Sequence, residues 1–181
     1  MSLAPALLLS MPQLLDPNFA RTVVLLCEHA AEGAFGLVVN RPSDIIAADA
    51  VSLTPPISSP NQLPLLIGGP VEPHRGWILT ARRPDAVEYR ELGAGLYLSA
   101  SPLLLRRNLM SDSLPDRTVV LAGYAGWGPG QLDEELAQSS WLIMPVELDL
   151  IFEIPASNAW ETAIRRLGAD PSLLHQGQGV H

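Results

Sequence analysis

Four short segments carry side chains able to act on another molecule. The first is Cys27-Glu28-His29, at the end of an apolar run. On a regular strand the thiol and the imidazole share one face and Glu28 takes the other. Such a pair is either part of a metal site or a cysteine nucleophile activated by a neighbouring base. A plainer reading stands beside these two: a small buried apolar thiol, with His29 bonded to the adjacent loop. A zinc site needs three or four ligands, and His74, His175 and His181 fall in no ligand spacing, so no metal is expected. The second segment is Asn40-Arg41-Pro42, a polar amide and a cation whose direction is set by the following proline. Its arginine is either a clamp for carboxylate or phosphate, or a structural group satisfying several loop carbonyls at once.

The third segment is Gly68-Gly69-Pro70-Val71 followed by Arg75-Gly76-Trp77. Glycine-rich backbone can approach an anion through its amides, but the spacing matches neither nucleotide fingerprint, and a plain turn serves equally. The fourth, Gly123-Tyr124-Ala125-Gly126-Trp127-Gly128-Pro129-Gly130-Gln131-Leu132, is the most distinctive. It reads as strand, glycine loop and helix N-terminus, a geometry that favours anions. Asp133, Glu134 and Glu135 in the first turns oppose that use, because they already offset the helix dipole. Trp127 either stacks on a ligand or plugs the core. A ligand site would gather Asn40, Arg41 and Arg75 with Gly126, Trp127, Gly128 and Gln131, and Cys27, Glu28 and His29 nearby. Its expected occupant is a small anion. No Ser/His/Asp set has a catalytic context, so no catalytic residue and no cofactor are expected.

Composition narrows the classes. All eleven basic residues are arginine, which excludes a Schiff-base lysine and a P-loop lysine. The net charge of −8 disfavours direct nucleic-acid binding, since affinity there comes from neutralising phosphates. The basic residues cluster only as the pairs Arg82–Arg83, Arg106–Arg107 and Arg165–Arg166. One cysteine permits no intrachain disulfide and fits a reducing, cytoplasmic setting. The apolar run Leu7-Leu8-Leu9 lacks a basic flank and is too short to span a membrane, so it is expected to be a buried strand.

These segments need elements to position them. With 181 residues, 48% of them hydrophobic, the chain is expected to form one domain over 1–181 with its own core. Short β-branched and apolar runs predict strands at Leu7–Ser10, Thr22–Cys27, Phe35–Asn40, Leu65–Ile67, Gly76–Thr80, Val87–Glu91, Leu96–Ser99, Thr118–Ala122 and Trp141–Met144. Gly93-Ala94-Gly95 predicts a hairpin connection. Helices are predicted from the cap Ser101 to Met110, over Pro129–Gln138 and Ser157–Gly168, briefly after Pro171, and within Ser43–Val51 with Ser43 or Asp44 as cap. Val146–Phe152 fits strand or helix. Strands outnumber helices and do not alternate with them. This predicts an α/β (α+β) fold with a mixed sheet or a strongly bent, barrel-like sheet and helices packed outside. Arg21-Thr22-Val23-Val24-Leu25 recurs as Arg117-Thr118-Val119-Val120-Leu121, and is read as two buried strands in similar surroundings.

Taken in order, these motifs resemble the AlgH/YqgE family of bacterial proteins. The resemblance rests on Met11-Pro12-Gln13-Leu14, Asp16-Pro17-Asn18-Phe19, Val24–His29, Gly36–Pro42, Gly68–Val71, Arg75–Leu79, Gly123–Leu132, Ser140-Trp141-Leu142 and the ending Trp160…Leu167-Gly168…Asp170-Pro171. It implies a pseudo-barrel α/β fold and a cytosolic protein without an established enzymatic activity. Some members are described as transcriptional regulators without a DNA-binding motif, which points to a regulatory or protein-interaction role. Thr80, Ser139 and the ending Gly179-Val180-His181 depart from the family pattern. Thr80 stands where a histidine is usual, so any site built on that histidine would be absent here.

Overall fold

The protein is described by a computed structural model covering residues 1–14 and 16–176. The ending Gly179-Val180-His181 lies outside the described residues. Among them are ten strands: β1 (Ala6–Ser10), β2 (Val23–Ala30), β3 (Gly33–Val38), β4 (Pro42–Ile46), β5 (Pro64–Ile67), β6 (Val71–Thr80), β7 (Arg90–Gly93), β8 (Leu96–Ser99), β9 (Thr118–Trp127) and β10 (Trp141–Met144). Six helices accompany them: α1 (Ala47–Ala50), α2 (Pro102–Leu109), α3 (Gln131–Ala137), α4 (Leu148–Phe152), α5 (Ala156–Arg166) and α6 (Pro171–Gln176). The strands form one mixed sheet in the order β10-β1-β2-β3-β9-β6-β8-β7, with β5 parallel to β9 and β4 paired to β5.

The runs Leu7-Leu8-Leu9 and Val23-Val24-Leu25-Leu26 are apolar at every position because both faces of these strands are covered. Leu7, Leu9, Val23, Leu25, Leu37 and Leu79 point into a concave core closed by Leu150, Ile151, Trp160, Ala163 and Ile164 of α4 and α5. Leu8, Val24, Leu26 and Val38 point the other way, against Trp127, Leu132 and Trp141. A third cluster, with Ile78, Leu104, Leu109 and Val120, lies under α2. Trp160 is anchored to the sheet by its indole N–H, which donates to the buried Ser10 carbonyl at 2.9 Å.

Several local expectations hold and some are corrected. Ser101 caps α2, its hydroxyl accepting from the Leu104 amide at 3.3 Å, with Pro102 at the first helical position. Ala94 and Gly95 both have positive φ, as a two-residue hairpin turn between β7 and β8 requires. Gly168 takes the left-handed conformation after α5. Val146–Phe152 resolves as helix α4. The helix expected from Ser43 starts only at Ala47. Residues 42–46 instead form β4, and the Ser43 hydroxyl donates to the Leu65 carbonyl at 2.6 Å on the paired strand rather than capping a helix. The strand expected at Val87–Glu91 is shifted to Arg90–Gly93, where the hairpin fixes its register with β8.

The repeated pentapeptide has a shared local geometry. Arg21 and Arg117 both have positive φ immediately before buried threonines, whose hydroxyls donate to carbonyls two or three residues back. Each arginine then pairs with a glutamate of the α4–α5 segment, Arg21 with Glu161 and Arg117 with Glu153. Both pairs are half exposed and so contribute little stability.

Candidate functional site

The segment Cys27-Glu28-His29 does not keep the regular alternation expected of it. Pairing of β2 with β3 passes from Leu26↔Gly36 directly to Glu28↔Phe35, so Cys27 is the extra residue of a β-bulge. The bulge puts Cys27 and Glu28 toward the concave side and sends His29 to the opposite face. Cys27 and His29 therefore do not share a face, which corrects the sequence expectation. The thiol is buried in the concave core, its Sγ 3.5 Å from the Leu25 carbonyl, and burial pushes its pKa up to about 12. A neutral buried thiol is a small apolar side chain, not a nucleophile. Native protein is thus expected to resist iodoacetamide at pH 8 while urea-unfolded protein alkylates fully. Rapid native labelling, read by intact mass, would contradict this.

His29 is held from two sides. Its Nδ1 accepts from the Leu3 amide at 3.1 Å, which places the ring proton on Nε2, 3.1 Å from Asp133 Oδ1. The ring thereby ties the N-terminal segment to α3. Among the described residues no group of three or more His, Cys, Asp or Glu is arranged to hold a metal.

Asn40 and Arg41 form a clasp between the exit of β3 and the entry to β2. The buried Asn40 amide accepts from the Val23 N–H at 2.9 Å and donates to the Arg21 carbonyl at 3.0 Å. Arg41 donates to the Ala20 carbonyl, and partial burial lowers its pKa. It borders a separate hollow with Asn18, Ile67 and Pro70 and does not meet Arg75.

The fourth segment is mostly strand. Gly126 and Trp127 belong to β9, which runs on because Ala34, Phe35 and Gly36 of β3 pair with Trp127, Gly126 and Ala125. Trp127 is a core plug, edge-on to Trp141 at 5.9 Å. The connection shortens to Gly128-Pro129-Gly130, where the Gln131 side chain accepts from the Gly128 amide at 3.0 Å. The glycines of Gly68-Gly69 and Gly123 serve a backbone crossing. A Cβ on Gly69 would stand 2.2 Å from the Tyr124 carbonyl, and one on Gly123 would stand 2.3 Å from the Gly69 oxygen.

Of the expected site residues, Glu28 and Arg75 do meet, in a cleft of about 430 Å³ at the open end of the concave side. Its floor is aromatic: Phe35 lies 5.2 Å from Trp77 and 5.1 Å from Tyr124, with Trp77 and Tyr124 edge to face at 6.3 Å. The Arg75 guanidinium lies over the Trp77 ring at 4.3 Å, which fixes its plane. Its nearest carboxylate, Glu72, stands at 3.5 Å, longer than a charge-assisted hydrogen bond. Arg90 enters from β7 and donates to Glu28 at 3.2 Å. Hydrogen bonding to Glu72 holds the Tyr124 phenol above its usual range, so it stays a neutral hydroxyl. The Trp77 indole N–H is buried with no hydrogen-bond partner, an unusual state for a tryptophan. Arg90, Phe35 and Tyr124 escaped sequence reasoning as site residues. Arg90 and Glu28 are 62 positions apart, and no local pattern links them.

A curled mixed sheet with helices outside is an α/β fold found among solved structures. The chain belongs to the AlgH-like family, whose model matches residues 7–172. It is 42% identical to a UPF0301 protein of Anaeromyxobacter dehalogenans over 98% of this chain and 94% of that one. It is 38% identical to a UPF0301 protein of Bordetella petrii, over 95% and 86%. The solution structure of AlgH from Pseudomonas aeruginosa superposes with a TM-score of 0.76 at 36% identity, covering 97% of this chain and 94% of that one. A crystal structure from Corynebacterium diphtheriae, 24% identical, shares the fold with a TM-score of 0.68 over 94% and 89%. No helix among the described residues is long and apolar enough to cross a membrane.

Proposed function

We propose that this is a cytoplasmic, non-enzymatic regulatory protein that binds a small anion with a flat apolar body in the cleft between β6, β7 and β9. One observation carries the reading: the Arg75 guanidinium, oriented in advance by stacking on Trp77, faces an aromatic-floored cleft that Arg90 also lines, paired there with Glu28. An anion meeting such donors loses little to reorganisation. The volume suits a small ligand, and the aromatic floor suits its flat part. The non-enzymatic reading is supported by the state of the groups best suited to chemistry. Cys27 is a buried neutral thiol, and His29 has both ring nitrogens engaged on the opposite face. The lone buried cysteine fits a reducing compartment. Binding of the anion then sets how the protein engages a protein partner.

The test is a thermal-shift screen of mononucleotides and aromatic carboxylates against wild type and Arg75→Ala. A ligand present at 100 times its Kd stabilises the native state by about 2.7 kcal/mol, a clear rise in melting temperature. The rise is expected for wild type and should be lost in Arg75→Ala. Equal rises in both proteins, or none across the panel, would refute the cleft as a binding site.

A further inference from the structure

Away from the cleft, the connection after β6 and the connection after α2 enclose a second hollow of about 400 Å³. Two of the sequence's arginine pairs contribute to it, bringing Arg82, Arg83 and Arg107 to its rim. These three are poorly matched by carboxylates. Arg82, 74% exposed, is 3.8 Å from Asp116, and Arg83 is 3.8 Å from Glu91, lies over the Tyr97 ring at 5.5 Å and donates to the Tyr89 hydroxyl at 3.3 Å. Arg107 donates instead to the Asp85 main-chain carbonyl at 2.5 Å. Elsewhere, Arg90, Arg117 and Arg166 each lie within 3.2 Å of a carboxylate oxygen. The rim thus holds three cations against Asp85 and Asp116, with Glu91 beside Arg83 outside the lining, on a chain whose net charge is −8.

Exposed apolar side chains adjoin Arg107 and the hollow's edge. Leu103, Arg107 and Met110 fall on one face of α2 and its end, at spacings of four and three. Leu103 is 48% exposed, Met110 54% and Leu114, on the hollow's edge, 55%. Cations set among exposed leucine and methionine match a ligand that is both acidic and apolar. A nucleic-acid backbone has the charge without the apolar part, and the protein's overall charge repels an extended polyanion.

We infer that this hollow docks an acidic, leucine-containing segment of a partner protein. Its carboxylates would meet Arg82, Arg83 and Arg107, and its apolar side chains would rest on Leu103, Met110 and Leu114. Attraction confined to one surface of a repelling molecule steers and orients the partner. The inference names the partner class for the interaction role proposed above, but uses none of the cleft residues, so either can fail alone.

The test is fluorescence anisotropy with a labelled peptide of Asp-Glu-Leu repeats, titrated with the full chain. Binding is expected, weakening as salt rises from roughly 0.05 to 0.5 M. Arg107→Ala and Arg82→Ala should each weaken it about tenfold. Leu114→Ser should weaken it as well, while Arg75→Ala should leave it unchanged. Unchanged melting temperatures would show that the surface variants fold. Four results would overturn the inference: no binding, affinity unaffected by Arg107→Ala, equal binding of a polyglutamate lacking leucine, or equal binding of a single-stranded DNA probe. A wild-type dimer on gel filtration that Arg107→Ala dissociates would instead assign the surface to a second copy of the chain and overturn it too.

Discussion

Gly69→Ala is expected to unfold the protein, or to destabilise it by about 3 kcal/mol or more. At this point β9 and the segment entering β6 cross backbone to backbone. Gly69 has φ +152°, and its Cβ would sit 2.2 Å from the Tyr124 carbonyl carbon and oxygen. Gly123, at φ +80°, meets the Gly69 carbonyl in the same way. Neither neighbour is a flexible side-chain tip that could move aside. Both are main chain fixed by the sheet: the Gly68 amide donates to the Ala122 carbonyl at 2.7 Å, and the Val38 amide donates to the Gly68 carbonyl at 2.8 Å. Gly126 supplies the internal control. A Cβ there meets only the Tyr124 ring at 3.7 Å and a Val71 methyl at 4.0 Å, ordinary contact distances. Gly126→Ala should therefore change stability by less than about 1 kcal/mol. Urea denaturation followed by circular dichroism separates the two cases. Native-like stability of Gly69→Ala would show that the crossing is looser than described.

The second large effect is at Asn40. Asn40→Ala removes a buried side chain that satisfies the Val23 amide and the Arg21 carbonyl together. Each orphaned buried group costs about 1–3 kcal/mol, so a total loss of about 3 kcal/mol is expected. Asn40→Asp should be nearly as damaging, because a carboxylate keeps the acceptor for Val23 but turns an oxygen toward the Arg21 carbonyl. The alternative, that Asn40 serves a ligand, predicts normal stability with weakened binding. Chemical denaturation of both variants decides between them. A loss below about 0.5 kcal/mol would reject the structural role.

What could be read from the sequence follows a physical division. Elements set by local chemistry were legible: the Ser101-Pro102 helix start, the Ala94-Gly95 turn and the left-handed Gly168 each depend on neighbours in the chain. The bent mixed sheet was legible from the excess of short apolar strands, and all-apolar runs such as Leu7-Leu8-Leu9 mark strands covered on both faces. Long-range pairing was not legible. Nothing around Cys27 announces a bulge, because the bulge is a mismatch of register with β3, and it alone decides that Cys27 and His29 part company. Gly126 and Trp127 read as loop because glycine signals turns, yet both lie in a long strand, where Gly123 is the glycine that permits a close crossing.

The candidate site divides in the same way. Arg75 and Glu28 were singled out in the sequence, and both line the cleft. Arg41 was expected beside them, but the Ala20 carbonyl and the β3 exit hold it elsewhere. Arg90 and the aromatic floor arrive from β7, β3, β6 and β9, brought together only by the curl of the sheet.

The most direct measurement is nitrogen–proton correlation NMR of the four tryptophan indoles during titration with a mononucleotide and with an aromatic carboxylate. The Trp77 indole should shift saturably with at least one of these, while those of Trp127, Trp141 and Trp160, packed away from the cleft, stay in place. A Trp77 signal that never moves, or one that moves no more than the other three, would contradict the cleft as an anion site.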